Sequence, residues 1–349
     1  MTDVTKLSRL FAYIPFLSIL LQKEQEESLA VGGQAVMEGV MMRNGDNLSI
    51  AVRQPQGNIV VQNKPWFCIT KNPLFKRPYL RGFPLLMETM INGIKALNVS
   101  AELAIEAEGE ELKPWQLILT LGGALLFAVA LFVVAPHLIT VALSFFHISG
   151  EVEGFSFHLW DGLIKFGIFL LYICAISRIK EINRVFQYHG AEHKAISAFE
   201  SGLTPINSAA ASRQSRLHPR CGTTFLLFVL CIAISLHILV VPLLLFFWTP
   251  DGSFQKHFAV ILLKLLLMLP ISALAYEAIR FAARLGNSML GRWMRAPGLL
   301  LQTLTTREPD SSQLEVALVS LKEALKADED FDENSVETQD YTILEPTAV

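Results

Sequence analysis

Apolar residues run for the length of a bilayer crossing at several places along this 349-residue chain. A helix needs about 20 such residues to span the hydrocarbon layer. Residues 115–135 meet that length and continue past Pro136 to Phe146. Residues 225–248 and 258–276 also meet it, the second with Lys264 near its middle. Residues 159–177 are the weakest of the four, because they contain Asp161 and Lys165. Helices buried in a soluble core rarely sustain uninterrupted apolar runs beyond about 18 residues, so the pattern predicts four transmembrane helices.

Other rhythms govern the rest of the chain. Residues 30–64 alternate with the period of strands and are punctuated by turns. The expected strands are 35–43, 48–53 and 58–63, joined through Asn44-Gly45-Asp46-Asn47 and Gln54-Pro55-Gln56-Gly57. Gly32-Gly33 ahead of them permits a close backbone approach. Pro84 then opens a helix whose stripe is Leu85, Leu86, Met90, Ile91, Ile94 and Leu97, apolar at helical spacing. That helix is expected to pack on the membrane face or the bundle. The acidic run 106–111 reads as a solvated hinge. Near the other end, Pro309-Asp310 suits the start of an amphipathic helix over 314–325.

The predicted fold is thus an α-helical polytopic membrane protein of four spans, with a small N-terminal β-meander and helix on the cytoplasmic side. Its regions are an interfacial segment (1–29), the meander and amphipathic helix (30–112), the membrane domain (113–284), a C-terminal helical region (285–326) and an acidic tail (327–349). The membrane domain includes a polar loop at 178–222. The tail is poor in core residues and is expected to be disordered. The first 22 residues carry Lys6 and Arg9 before an apolar run that Pro15 interrupts, and no small-residue cleavage site follows. They read as an interfacial amphipathic segment rather than a signal peptide.

Composition agrees with a membrane protein: 52% of residues are hydrophobic and 17% charged, against about 25% charged in ordinary soluble domains. The net charge of −3 argues against nucleic acid as a partner, since the phosphate-neutralising surplus is missing. The four cysteines (Cys68, Cys174, Cys221, Cys231) form no C-x-x-C pair and no disulfide framework. Loop charge sets an orientation. The loop over 147–158 carries Glu151 and Glu153 but no Lys or Arg, and that over 249–257 has only Lys256. Arg178, Lys180, Arg184, Lys194, Arg213, Arg216 and Arg220 fall between spans two and three, and Arg280, Arg284, Arg292 and Arg295 close the fourth. The expected protein is a multi-pass component of a bacterial plasma membrane or a related inner membrane, with both termini cytoplasmic and the bilayer as its partner.

Candidate chemistry centres on His189-Gly190-Ala191-Glu192-His193. On a helix, positions i and i+4 share a face, so His189 and His193 can share a metal, with Glu192 beside them as catalytic base or ligand. Glu200 lies seven residues on from His193. A second cluster, His218-Pro219-Arg220-Cys221, stands at the entry to span three, and a third, Tyr276-Glu277 with Arg280, at the exit of span four. Glu277 is the favoured further ligand, His218 the alternative, and Cys221 a soft donor beside it. The expected cofactor is a divalent transition metal, zinc first, with iron or manganese admitted by the same donors. A bland alternative pairs Glu192 and Glu277 with nearby bases such as Lys194 and Arg280. Lys165 and Lys264 lie inside spans, where charge is a functional signal by default, although Asp161 at i−4 can pair with Lys165.

Four segments, 31–43 (VGGQAVMEGVMMR), 188–194 (YHGAEHK), 218–223 (HPRCGT) and 304–310 (LTTREPD), resemble the DUF1385 family, a YqhQ-like group of bacterial and plastid membrane proteins. The resemblance covers about residues 30–325. It implies a metal-dependent enzyme of open substrate, and it adds Glu38 and Arg43, which stand in the first signature block. Glu38 also has a supporting reading as a carboxylate paired with Arg43 or Arg81. Two functions compete. One is a membrane metalloenzyme, hydrolytic by the inverted zinc-protease spacing H-x-x-E-H, working at the cytoplasmic interface. The other is a non-enzymatic transporter or assembly factor that uses Lys165, Lys264 and His237 and leaves the cytoplasmic histidines structural.

Overall fold

A computed structural model describes residues 31–104, 114–248, 250–286, 288–326, 332 and 335–344. The interfacial segment 1–29 and the acidic run 106–111 lie outside them. Strands β1 (Gly32–Val36), β2 (Gly39–Asn44), β3 (Asn47–Arg53) and β4 (Ile59–Pro65) form an antiparallel meander in chain order. The two turns sit where the Asn-Gly and Pro-Gln-Gly signals place them, with Gly45 and Gly57 at positive φ. The single strand expected over 35–43 is instead a hairpin, in which Val36 pairs with Gly39. Its turn is Met37-Glu38, and Glu38 adopts a φ of +50°. That conformation is uncommon for a residue with a Cβ, and no turn residue advertises it in the sequence.

Both faces of the sheet are covered, which is why its strands are apolar almost throughout. On one face Val36, Met41, Ile50 and Val52 pack against Ala96 and Val99 of α1 (Gly82–Ala104). The start of α1 also rests on the fourth span at Ser272 and Ala273. This helix therefore joins the sheet to the bundle. On the other face Val40, Met42, Ala51 and Val61 meet two helices that come much later in the chain. They are α5 (Lys180–Glu200) and α11 (Ser311–Leu325). Helix α11 begins with a reciprocal cap at Asp310, which accepts from the Gln313 amide at 2.9 Å while Gln313 accepts from the Asp310 amide at 3.0 Å.

Four helical segments are long and apolar enough to cross a membrane. The first comprises the end of α2 (Pro114–Val129), a π-helical turn (Ala130–Val134) and α3 (Ala135–Ser144). The second is α4 (Phe155–Ile176). After a short helix α6 (Ser208–Ser212) comes the third, α7 (Gly222–Phe247). The fourth is α8 (Ser253–Leu266) continued by α9 (Met268–Arg284). Leu125, Leu126, Phe145, Phe246 and Phe247 point outward and are exposed, as a lipid-facing surface requires. Helix α10 (Met289–Thr305) then leads back to α11. Connectivity places the sheet, α5, the start of α7 and the end of α9 at one end of the bundle.

The expectation of a disordered tail fails for residues 335–344. Tyr341–Leu344 forms β5, which adds to β4 in parallel, and Val336 is buried and bridges to Ile206. The unpaired edge of β4 supplies a template that the sparse apolar residues of the tail do not reveal. Tyr341 seals the join by donating to Glu323 at 2.5 Å. Truncation after Lys326 is accordingly expected to destabilise the sheet domain by about 2 kcal/mol, the scale of losing a buried aliphatic side chain. A lowered thermal midpoint in detergent checks this, and an unchanged midpoint would contradict it.

Candidate metal centre

Helix α5 carries His189, Glu192 and His193 on the face turned toward the start of span three and the end of α10. The two imidazole rings lie 4.5 Å apart, centroid to centroid. His189 donates from Nδ1 to the Thr305 carbonyl at 2.8 Å, and His193 donates from Nδ1 to the Arg216 carbonyl at 2.6 Å. A carbonyl only accepts, so each ring donates from Nδ1 and turns its Nε2 inward. His189 Nε2 is 3.2 Å from Cys221 Sγ. His193 Nε2 is buried and has no hydrogen-bond partner. Burial pushes the His193 ring down to about 3, and the neighbouring His189 ring adds to that, so His193 stays neutral.

Cys221 is the N-cap of α7, where the start of span three delivers it to α5. Burial raises its thiol, while the hydroxyl and amide of Thr223 pull the other way. The donor atoms of His189, His193 and Cys221 all lie within 4.8 Å of one another, and among the described residues this is the group that can hold a metal ion. Two imidazoles whose far nitrogens are fixed by carbonyls, with a thiol alongside, match the chemistry of a transition-metal site. The orphaned His193 Nε2 is the atom such an ion would satisfy.

Glu192 is almost fully buried next to this group. Its side chain rests against Gly33 of β1, where an added Cβ would sit 2.9 Å from both Cγ and Oε1 of Glu192. The glycine is therefore needed for the sheet to close over the carboxylate. Burial pushes the Glu192 carboxyl up to about 8, with His189 opposing and Cys221 reinforcing.

The expected further ligands are placed differently. Glu277 makes a two-pronged ion pair with Arg81, at 2.8 and 2.7 Å, and accepts from the Tyr79 amide at 3.3 Å. It fastens α9 to the start of α1 and is not a member of the donor group; Arg81 is its hydrogen-bonded partner, and the charge of Arg280 further along α9 also acts on it. His218 is close, its ring centroid 5.7 Å from that of His193, but its Nε2 faces Glu200 at 3.3 Å. Glu200 also pairs with Arg220. Glu38 takes Arg184 as its partner, not Arg43 or Arg81, and accepts from the Tyr188 hydroxyl at 3.3 Å. Arg43 stacks on the Trp66 ring at 3.9 Å and bonds the Gly45 carbonyl. Lys194 pairs with Glu308 rather than Glu192.

Sequence reasoning missed the two carbonyls that aim the histidines. Thr305 lies in the 304–310 signature, and its neighbour Thr306 accepts from Arg216 at its carbonyl (2.5 Å) and its hydroxyl (2.9 Å). That bond locks the Arg216 backbone near His193. The motif was visible, but a backbone carbonyl leaves no residue-type signature. Gln302 completes the frame by bonding both the amide and the carbonyl of His218 at 2.8 Å.

The fold and this donor group define a protein with four helices long and apolar enough to cross a membrane and a potential metal site where a polar domain meets them. The chain belongs to the DUF1385 family, whose model matches residues 77–327. The match begins after the block 31–43 that contributed to the resemblance. The family is described as one of unknown function, so the metal-dependent enzyme implied by the resemblance gains no support from it. The chain is also 31% identical over 312 residues to the uncharacterized protein YqhQ of Bacillus subtilis (strain 168), covering 85% of this chain and 92% of that protein. No solved structure matches.

Proposed function

We propose that the protein is a membrane metalloenzyme that binds one transition-metal ion through His189, His193 and Cys221 and performs hydrolysis at the bilayer edge. The buried, partnerless Nε2 of His193, aimed at the same point as His189 Nε2 and Cys221 Sγ, carries this reading. A thiolate with two imidazoles favours zinc or iron over manganese, whose preference is for oxygen donors. Zinc with three protein ligands supplies Lewis acidity to a substrate carbonyl or phosphoryl group. When ionised, Glu192 would take the proton of an attacking water, since it follows His189 by three residues on α5 and is itself buried. Glu200 and Arg220 hold His218 beside His193, and Glu277 and Arg81 hold the fourth span to the sheet domain.

Metal analysis of the purified protein tests the centre: about one ion per chain is expected, as for a high-affinity structural or catalytic site. Glu192→Gln should keep the ion and lose hydrolysis of a panel of ester, amide and phosphoester reporters, because an amide takes no proton. A variant that hydrolyses as well as wild type would remove Glu192 from the chemistry.

We further place the metal centre, the sheet and both termini in the cytoplasm. The one-sided Lys and Arg distribution supports this. Reporter fusions at Glu153 and Gly252 should read outside, and one at Ser208 inside. The reverse result would move the centre to the other compartment.

A further inference from the structure

A second polar cluster lies inside the bundle, in the half farther from the sheet, and the proposed hydrolysis does not use it. Asp161 and Lys165 come from α4, Lys264 from α8, His137 from α3 and His237 from α7. Asp161 is 0% and Lys264 1% exposed, and the others are buried as well. Lys264 Nζ donates to Asp161 Oδ1 at 2.6 Å, and Lys165 Nζ to Asp161 Oδ2 at 3.4 Å. Lys165 Nζ also lies 3.3 Å from His237 Nδ1. On the other side, Lys264 Nζ is 3.4 Å from His137 Nδ1, and His137 Nε2 is 3.0 Å from His257 Nδ1. His257 is half-exposed at the start of α8, next to the Lys256–Glu153 ion pair that marks this end of the bundle. His158 of α4 is buried against the same cluster, its ring stacked edge-on against Phe157, which also touches His137.

The charges do not balance. Two ammonium groups would face one carboxylate, and the other titratable side chains that α3, α4, α7 and α8 bring to the cluster are the imidazoles of His137, His158, His237 and His257, which supply no negative charge. An uncompensated charge in a bilayer interior is costly, whereas a neutral amine is tolerated. A lysine can shed its proton in such a setting. The contacts from Lys264 to His257 also form an unbroken line to the surface. An imidazole in such a line takes a proton at one nitrogen and releases one from the other.

We propose that the Asp161, Lys165 and Lys264 cluster is a proton-binding site, in which the two lysines share one ammonium charge and exchange a proton with the outer end through His137 and His257. On loading, His257 gains a proton at Nε2 and passes its Nδ1 proton to His137 Nε2. The Nδ1 proton of His137 moves to the neutral Lys264 amine, which becomes an ammonium. One proton enters, and the bundle gains one positive charge. The ligand is the proton itself, so the membrane domain responds to acidity on the side opposite the metal centre.

Nitrogen-15 NMR of the lysine-labelled full-length protein in nanodiscs tests this. Surface lysines stay ammonium at neutral pH, with an ordinary pKa of about 10.4, so one neutral amine per chain should stand apart and convert to ammonium on acidification. Lys165→Met and Lys264→Met should each abolish that signal, because each restores a one-to-one pair. Asp161→Asn should add a second neutral amine. His137→Phe should leave the neutral amine in place but slow its conversion after a pH jump. If one lysine variant fails to fold, the other still decides. A wild-type spectrum with ammonium alone overturns the proposal. So does a neutral amine that appears only when chloride is replaced by a bulky anion, a result that would assign the surplus charge to a bound anion.

Discussion

Purified His193→Ala protein is expected to carry less than about a tenth of the metal that wild type retains, since losing one ligand of a three-ligand site removes more affinity than the 10–100-fold typical of an outer-shell loss. The argument rests on which atom loses its purpose. His193 is buried and held neutral, and its Nδ1 is already committed to the Arg216 carbonyl. Its Nε2 has no hydrogen-bond partner and lies in the group that could hold a metal, so the proposed ion would be the partner the ring loses. Cys221→Ser should retain more metal than His193→Ala, because a hydroxyl is a poorer donor than a thiolate but still carries an oxygen. Glu277→Gln should leave metal content unchanged, because that carboxylate is engaged by Arg81. Metal measured by mass spectrometry alongside the thermal midpoint separates loss of the site from loss of the fold. Equal metal in wild type and in His189→Ala, His193→Ala protein would exclude this centre.

How far the sequence announced these features depended on whether each signal was local. The spans were legible because a bilayer demands length and apolarity within one segment. Helix α11 was legible because the Asp310–Gln313 cap is a local device. The Met37-Glu38 turn was not legible, since Glu38 adopts positive φ without the glycine or asparagine that usually marks it. Strand β5 was hidden for a different reason. It pairs with β4 from the far end of the chain, and no periodicity in four residues predicts that. The site divides the same way. The one-turn spacing of His189 and His193 is a property of one helix, so the sequence suffices. Choosing Cys221 over Glu277 required knowing that span three begins beneath α5 and that Arg81 reaches Glu277. Within the bundle, Asp161 and Lys165 are a visible i, i+4 pair, but Lys264 joins them from a different span.

Gly190→Ala is expected to damage the protein more than any other single-methyl addition at the site, with a loss of about 3 kcal/mol, the upper range for overpacking a closed contact. Gly190 lies between the two ligands' turns on α5, fully covered by the segment that follows α10. A Cβ there would be driven into the Arg307 carbonyl oxygen, with the Pro309 ring 3.3 Å away. The obstacle is backbone, and the Arg307 amide is itself bonded to the Phe186 carbonyl at 2.8 Å, so the segment has little freedom to retreat. Moving it would also displace Thr305, whose carbonyl fixes the His189 ring, and Thr306, which holds Arg216 under His193. The substitution leaves every donor atom of the centre chemically intact. A lowered thermal midpoint together with weakened metal retention would therefore show that the 304–310 segment positions the histidines. A stable Gly190→Ala protein with full metal would mean that the segment is free to move and that the two carbonyl contacts do not set the site.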